Sequence, residues 1–179
     1  MSDDHPIRAL GDRFVEEWAT VDPLGATEWG VVGHEAETTD YSPEGTAVRS
    51  RTYRRTLGEL DSLPAAEGSD RVACEVLRGH VETMLTLIDA GAEERQLNPI
   101  SSPMTELRES FDQLATDDTR DWEILETRLS DVPGAISGLI ETYRRGLRNG
   151  NVTARRQSIA HSWITLSETP AENRLGYPV

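Results

Sequence analysis

Lysine is absent from this sequence, and all 18 of its basic residues are arginine. With 32 acids against them, the net charge is -14 and the isoelectric point is near 4.6. A surface of that sign repels phosphate backbones and anionic headgroups, so nucleic acid and membrane are poor partners. The all-arginine bias reads as the imprint of a GC-rich genome, although arginine is also the better bidentate partner for carboxylates. A single cysteine, Cys74, excludes an intrachain disulfide; among Val72, Val76 and Leu77 it reads as a small buried hydrophobe. No apolar run approaches the ~20 residues of a membrane span, and the acidic start MSDDHPIRAL has no signal-like apolar core, so a soluble, cytoplasmic protein is expected. Aromatics make up only 6% of the chain. Four of them are tryptophans (Trp18, Trp29, Trp122 and Trp163), spaced along the sequence rather than gathered in one patch.

Strand alternation is scarce too, whereas helix signals recur. Pro6 opens an amphipathic segment, with Ile7, Leu10, Phe14 and Trp18 at helical spacing to about Thr20. Asp22-Pro23 starts a short helix ending at Gly30. Ser42-Pro43-Glu44 combines a cap, a first-turn proline and an acid at the positive helix end, and predicts a helix to about Leu63. Ser69-Asp70 is expected to cap the strongest core helix, whose Val72, Val76, Leu77, Val81, Met84, Leu85 and Ile88 form a wide stripe ending at Gly91. Ser102-Pro103 repeats the cap-plus-proline device. Thr119 is expected to cap a segment bearing Trp122, and Pro133 to start a separate helix closed by Gly150. A last helix is expected from near Thr153. The sum is an all-α, antiparallel array of about six to eight helices: residues 1–157 form one helical domain, and 158–179 form a divergent helix end and tail.

Chemical motifs are mostly missing. There is no Gly-x-Ser-x-Gly elbow and no phosphate-binding glycine loop. His34-Glu35 begins like a His-Glu-x-x-His zinc motif, but position 38 is Thr, so the second ligand on that helix face is lacking. None of His5, His34, His80 and His161 lies three or four residues from another, and His34 reads as a loop residue. His80, near Glu75 and Glu82, reads as a helix-surface histidine. Adjacent acids such as Glu93-Glu94 point in different directions and read as solvated faces. One segment departs from the acidity: from Glu141 to Arg156, Arg144, Arg145, Arg148, Arg155 and Arg156 face one acid, a local +4 that leaves -18 for the rest. This cluster is either an anion-binding surface or a set of internal salt bridges, and the abundance of carboxylates favours salt bridges.

Five blocks carry a family likeness: RFVEEWATVDPLGATEWGVVGHEAETTDYSPEG, SDRVACEVLR, LNPISSPMTELRESFDQL, DWEILETRLSDVPGAI and GNVTARRQ. In order and approximate spacing they resemble the start of the bacterial DUF885 family over residues 6–157. The resemblance implies a longer, mostly helical protein similar to zinc metallopeptidases of the carboxypeptidase type. Its His-Glu-x-x-x-Gly-His-like metal segment would lie downstream of these residues. Zinc is therefore expected only outside this chain, and no catalytic, cofactor-binding or metal-ligating residue carries over. The expectation is the N-terminal helical portion of such a fold, a wall or lid beside a substrate cleft, not catalytic alone. One alternative is a helical interaction module that self-associates or pairs with a separate catalytic half through exposed apolar helix faces. A small enzyme built on Cys74, Glu75 and His80 or on the arginines is a third, less supported by spacing.

Overall fold

The computed structural model describes residues 6–98, 100–155 and 157–159. Its helices are α1 (Pro6–Val21), α2 (Pro23–Glu28), α3 (Pro43–Asp61), α4 (Gly68–Asp89), α5 (Pro103–Glu109) and α6 (Thr119–Asn149), with a single 3-10 turn at Ala92–Arg95. No strand occurs among the described residues, and the fold is all-α as expected. Three helix starts use the anticipated device, a capping side chain followed by proline. Asp22 accepts from the Gly25 N–H at 3.3 Å, Ser42 from Gly45 at 3.1 Å, and Ser102 from Thr105 at 3.3 Å. Gly150, at φ 69°, closes α6 in the left-handed conformation foreseen for it.

Two helix starts differ from expectation. Helix α4 begins at Gly68 after extended Glu67, which makes no side-chain cap, so Ser69 and Asp70 already lie inside the first turn. Pro133 starts no helix: it sits within the 31 residues of α6. A proline there forgoes one backbone hydrogen bond and crowds the preceding turn, at a cost of ~3 kcal/mol. The helix survives because it is well anchored on both sides. Upstream, Asp118, rather than Thr119, caps it in a reciprocal box with Asp121; downstream, Ala135 and Leu139 are buried. Of the last helix expected from near Thr153, residues 153 and 154 are not helical and residues 155 and 157–159 are; its continuation, with the expected tail and Trp163, lies outside the described residues.

Packing follows the apolar spacing. Leu60 near the end of α3 meets Ile7 and Leu10 near the start of α1, whereas Tyr53 meets Phe14 further along, so the two helices run antiparallel. Tyr53 also touches Val81 and Leu85 of α4, and Leu60 approaches Cys74 and Leu77, which makes α3 and α4 antiparallel as well. This three-helix lobe is the main core, and burial of each such side chain contributes roughly 1.5–3 kcal/mol. Cys74 lies half-buried at its edge. The stripe on α4 is narrower than expected: Val72 and Val76 remain 53% and 66% exposed, because α1 and α3 cover only one side of the helix.

A second group forms around α6, where Ala135 joins Leu24 of α2 and Leu107 of α5. Its far half lies against the segment leading into α3 and against the 3-10 turn: Thr142 Oγ1 donates to the Tyr41 carbonyl at 2.7 Å, and Arg145 Nε to Glu94 at 2.7 Å. The near half carries Arg128, which is fully buried. Its guanidinium donates to the carbonyls of Ser110 (3.3 Å) and His34 (3.2 Å) and to Thr27 Oγ1 (2.8 Å), while Nε has no partner among the described residues. Desolvation lowers the Arg128 pKa, opposed by the charges of Glu35 and Glu37. One side chain thus ties α2, the loop after it and the end of α5 to α6.

Candidate functional site

The two helical groups leave a cleft between them. One chamber, of about 420 Å³, is bordered by Trp18 of α1, α2, Tyr53 of α3, His80 and Met84 of α4, and α5 with its following turn. A deeper chamber of about 210 Å³ reaches toward Tyr41, Arg49 and Thr142. Asp22, Tyr53, Met84 and Glu106 line both, so the chambers meet at these residues.

Local sequence explains how each group is placed. The Asp22 carboxylate that caps α2 also accepts from Thr39 Oγ1 at 2.6 Å, which fixes it at the junction. Ser102 and Pro103 start α5 so that Glu106, one turn on, faces the same space. Desolvation, then the charges of Asp22, Glu28 and Glu109, raise the Glu106 pKa. Burial, followed by the Asp22 charge, pushes the Tyr53 phenol up to about 12. Burial and then Glu106 push Tyr143, whose hydroxyl donates to the Gln96 carbonyl at 2.8 Å, to about 12 as well. Tyr41 is shifted upward too, chiefly by burial.

Aromatic rings form the rim. Trp18 and Trp29 meet edge to face, with centroids 5.7 Å apart, and Trp29 is 72% exposed. His80 stands edge-on to Phe14 and Tyr53 at 6.0 and 6.2 Å, and desolvation draws its pKa below the ordinary value. The tryptophans expected to be spread along the chain are therefore in part a cluster: the turn ending α2 folds Trp29 back onto Trp18.

The residues singled out from sequence are dispersed. His34 sits in the loop, its Nδ1 3.5 Å from Glu37, while Glu35 accepts from the Gly33 N–H at 2.9 and 3.0 Å. Those backbone hydrogen bonds lower the Glu35 pKa. Glu75 pairs with Arg71 on the exposed side of α4, away from half-buried Cys74 and from His80, so the three do not converge. Glu93 and Glu94 do point apart, but they are not solvated faces: Glu94 is buried, and both carboxylates are engaged within the fold. Glu93 accepts from Thr46 and from Arg49 at 3.1 Å, and Glu94 from Arg145 at 2.7 Å and from Asn149 and Asn151 at 3.2 and 3.0 Å. Among the arginines near the end of α6, Arg145 is therefore an internal salt-bridge partner. Arg144, Arg148 and Arg155 are exposed, without an ion-pair partner among the described residues, and the side chain of Arg156 lies outside them.

Sequence reasoning missed Asp22 as a cleft residue, Glu106 and the buried Arg128. Only Asp22 had a local signal, and that signal read as a cap. Among the described residues no three of His, Cys, Asp or Glu come together as metal ligands. No helix among them is long and apolar enough to cross a membrane.

A comparison with curated proteins finds no match to this chain. The family described as bacterial protein of unknown function (DUF885) matches residues 23–162, a span that takes in α2, the loop bearing His34, and every later helix. With most of its length matched, the chain belongs to the DUF885 family.

Proposed function

We propose that this chain supplies the substrate-binding wall of a metallopeptidase-like DUF885 protein and does not catalyse peptide hydrolysis by itself. The observation that carries the reading is the two-chambered cleft, whose shape and polar-aromatic lining suit a ligand. Its lining lacks a nucleophile, base and orienting group in mutual reach. His80 touches rings rather than a carboxylate. Ser110, at the wall of the larger chamber, spends its hydroxyl on the Leu107 carbonyl. The work left to these residues is to hold and orient.

The test is to incubate the purified chain with internally quenched peptides, with and without added zinc chloride, and to follow binding by fluorescence polarisation alongside cleavage. Binding without cleavage is the expected result. Cleavage that co-purifies with the chain and is lost in His80→Ala overturns the reading.

A second reading, an interaction module, is favoured by one feature of α6. Trp122, Leu129, Ile140 and Leu147 are 56%, 56%, 43% and 66% exposed. Their spacing of seven, eleven and seven residues sets them in one stripe along the helix. Such a stripe suits contact with another protein surface, either a second copy or a separate catalytic half.

A further inference from the structure

We infer that the cleft recognises an organic cation, an ammonium or guanidinium group borne on an extended chain such as a basic peptide side chain. The inference names the substrate class for the binding-wall reading and rests on it for the word substrate.

The first observation is a concentration of carboxylates inside the cleft. Around the larger chamber stand Asp22, Glu28, Glu106 and Glu109, and no arginine lines it. Elsewhere arginines seek out carboxylates: Arg13 meets Glu59, Arg54 meets Asp89, Arg78 meets Asp61 and Arg145 meets Glu94, each at 2.7 Å. In the deeper chamber Arg49 is already engaged by Glu93. Glu109 has only a 3.5 Å contact with neighbouring Arg108, and Glu106 has no ion pair among the described residues. The larger chamber, walled by Trp18, Trp29 and Tyr53, is thus lined by four carboxylates and no arginine.

The second observation is the exposed face of Trp29, braced edge-on by Trp18 at the same cleft. Indole is the best aromatic partner for a cation, and a tryptophan left 72% exposed beside carboxylates presents that surface to an incoming ligand. The third concerns shape. The acids are spread along the walls and do not converge on one point, so no divalent-ion cage forms among the described residues. Dispersed charge around 420 Å³ suits a cation with its own carbon chain, whose methylenes can lie on Tyr53 and Met84.

The experiment is a titration of the intact chain, followed by tryptophan fluorescence and calorimetry, with N-acetyl-arginine amide and N-acetyl-lysine amide. N-acetyl-norleucine amide and calcium chloride serve as comparisons. We expect saturable binding of the two cationic probes, weakened by added salt, and at least tenfold weaker binding of norleucine. Glu106→Gln and Trp29→Ala, both at exposed positions, should each weaken the cationic probes roughly fivefold or more, whereas Glu126→Gln, on α6 away from the cleft, should not. Circular dichroism checks that each variant is folded. Equal affinity for norleucine, no binding at all, a calcium response that displaces the organic probes, or undiminished affinity in folded Glu106→Gln would each overturn the inference. Loss of the binding-wall reading looks different, since it shows as cleavage by the chain itself whatever the charge of the bound side chain.

Discussion

Glu94 and Glu106 are two carboxylates with opposite consequences for stability. At Glu94, burial works to raise the pKa, but hydrogen bonds from Asn151, Arg145 and Asn149 and the Arg145 charge outweigh it and hold the group below its ordinary value of 4.5. A depressed folded pKa means that the native state binds its proton less tightly than the unfolded chain. The stabilisation is therefore present above about pH 4.5 and is lost as the pH falls through the folded value. Urea unfolding at pH 7, 5, 4 and 3 should show stability falling below that point. Glu94→Gln should start roughly 1–3 kcal/mol lower at pH 7 and lose less on acidification. A variant with the same acid slope as the parent would remove Glu94 from the account. At Glu106 the shift is upward, so its ionised form weighs against folding near neutrality. A group that costs stability where it stands is consistent with one kept for a ligand.

Helix α6 shows how far one element departs from its local preferences. Gly138, Thr142 and Gly146 lie on one face, four residues apart, and bring the helix backbone against Tyr41-Ser42 before α3 and against the 3-10 turn. A methyl group on Gly146 would stand 2.6 Å from the Asn151 carbonyl oxygen and 2.7 Å from that of Glu94. Helix propensity alone favours alanine over glycine by about 1 kcal/mol, whereas overpacking against backbone costs roughly 1–3 kcal/mol. We expect Gly146→Ala to destabilise, read as a lower urea midpoint; a higher midpoint would mean that the contact relaxes freely. Most of the element pattern was legible beforehand, because Ser42-Pro43, Ser102-Pro103, Asp22-Pro23 and Gly150 act through neighbours in sequence. Pro133 misled for the same reason. Its local meaning is a helix start, and only the capping box before it and the burial after it carry the helix through. Val72 and Val76 misled differently, since their spacing shows a stripe but not how much of it a neighbour covers.

At the scale of the molecule, two helical groups meet over a cleft, while the outer face of α6 is left apolar. If that stripe mediates contact between copies or with a partner, the protein should self-associate as concentration rises in sedimentation. Leu129→Ser combined with Leu147→Ser should then return it to a monomer, with stability changed by no more than about 0.5 kcal/mol per exposed site. A parent that stays monomeric and binds no hydrophobic dye would count against the interaction reading. The cleft itself was not legible in the sequence. Trp18 and Trp29 are near neighbours in the chain, but Glu106 reaches them from a different helix, and no local pattern records that meeting. Arg128 was equally silent, looking in sequence like one more helix-surface charge. Its position also has a bearing on biosynthesis. Two of its partners, Thr27 and the His34 carbonyl, precede it by 101 and 94 residues. On a ribosome, α1, α3 and α4 are all made before Arg128 appears, so their lobe can assemble while the loop beside it still has no latch. Until then the turn between Gly33 and Glu35 and the hydrogen bonds of Thr39 to Asp22 and Leu24 hold that loop. A nascent chain stopped before residue 128 would carry the loop unlatched, and the arginine is in effect the signal that the second half has arrived.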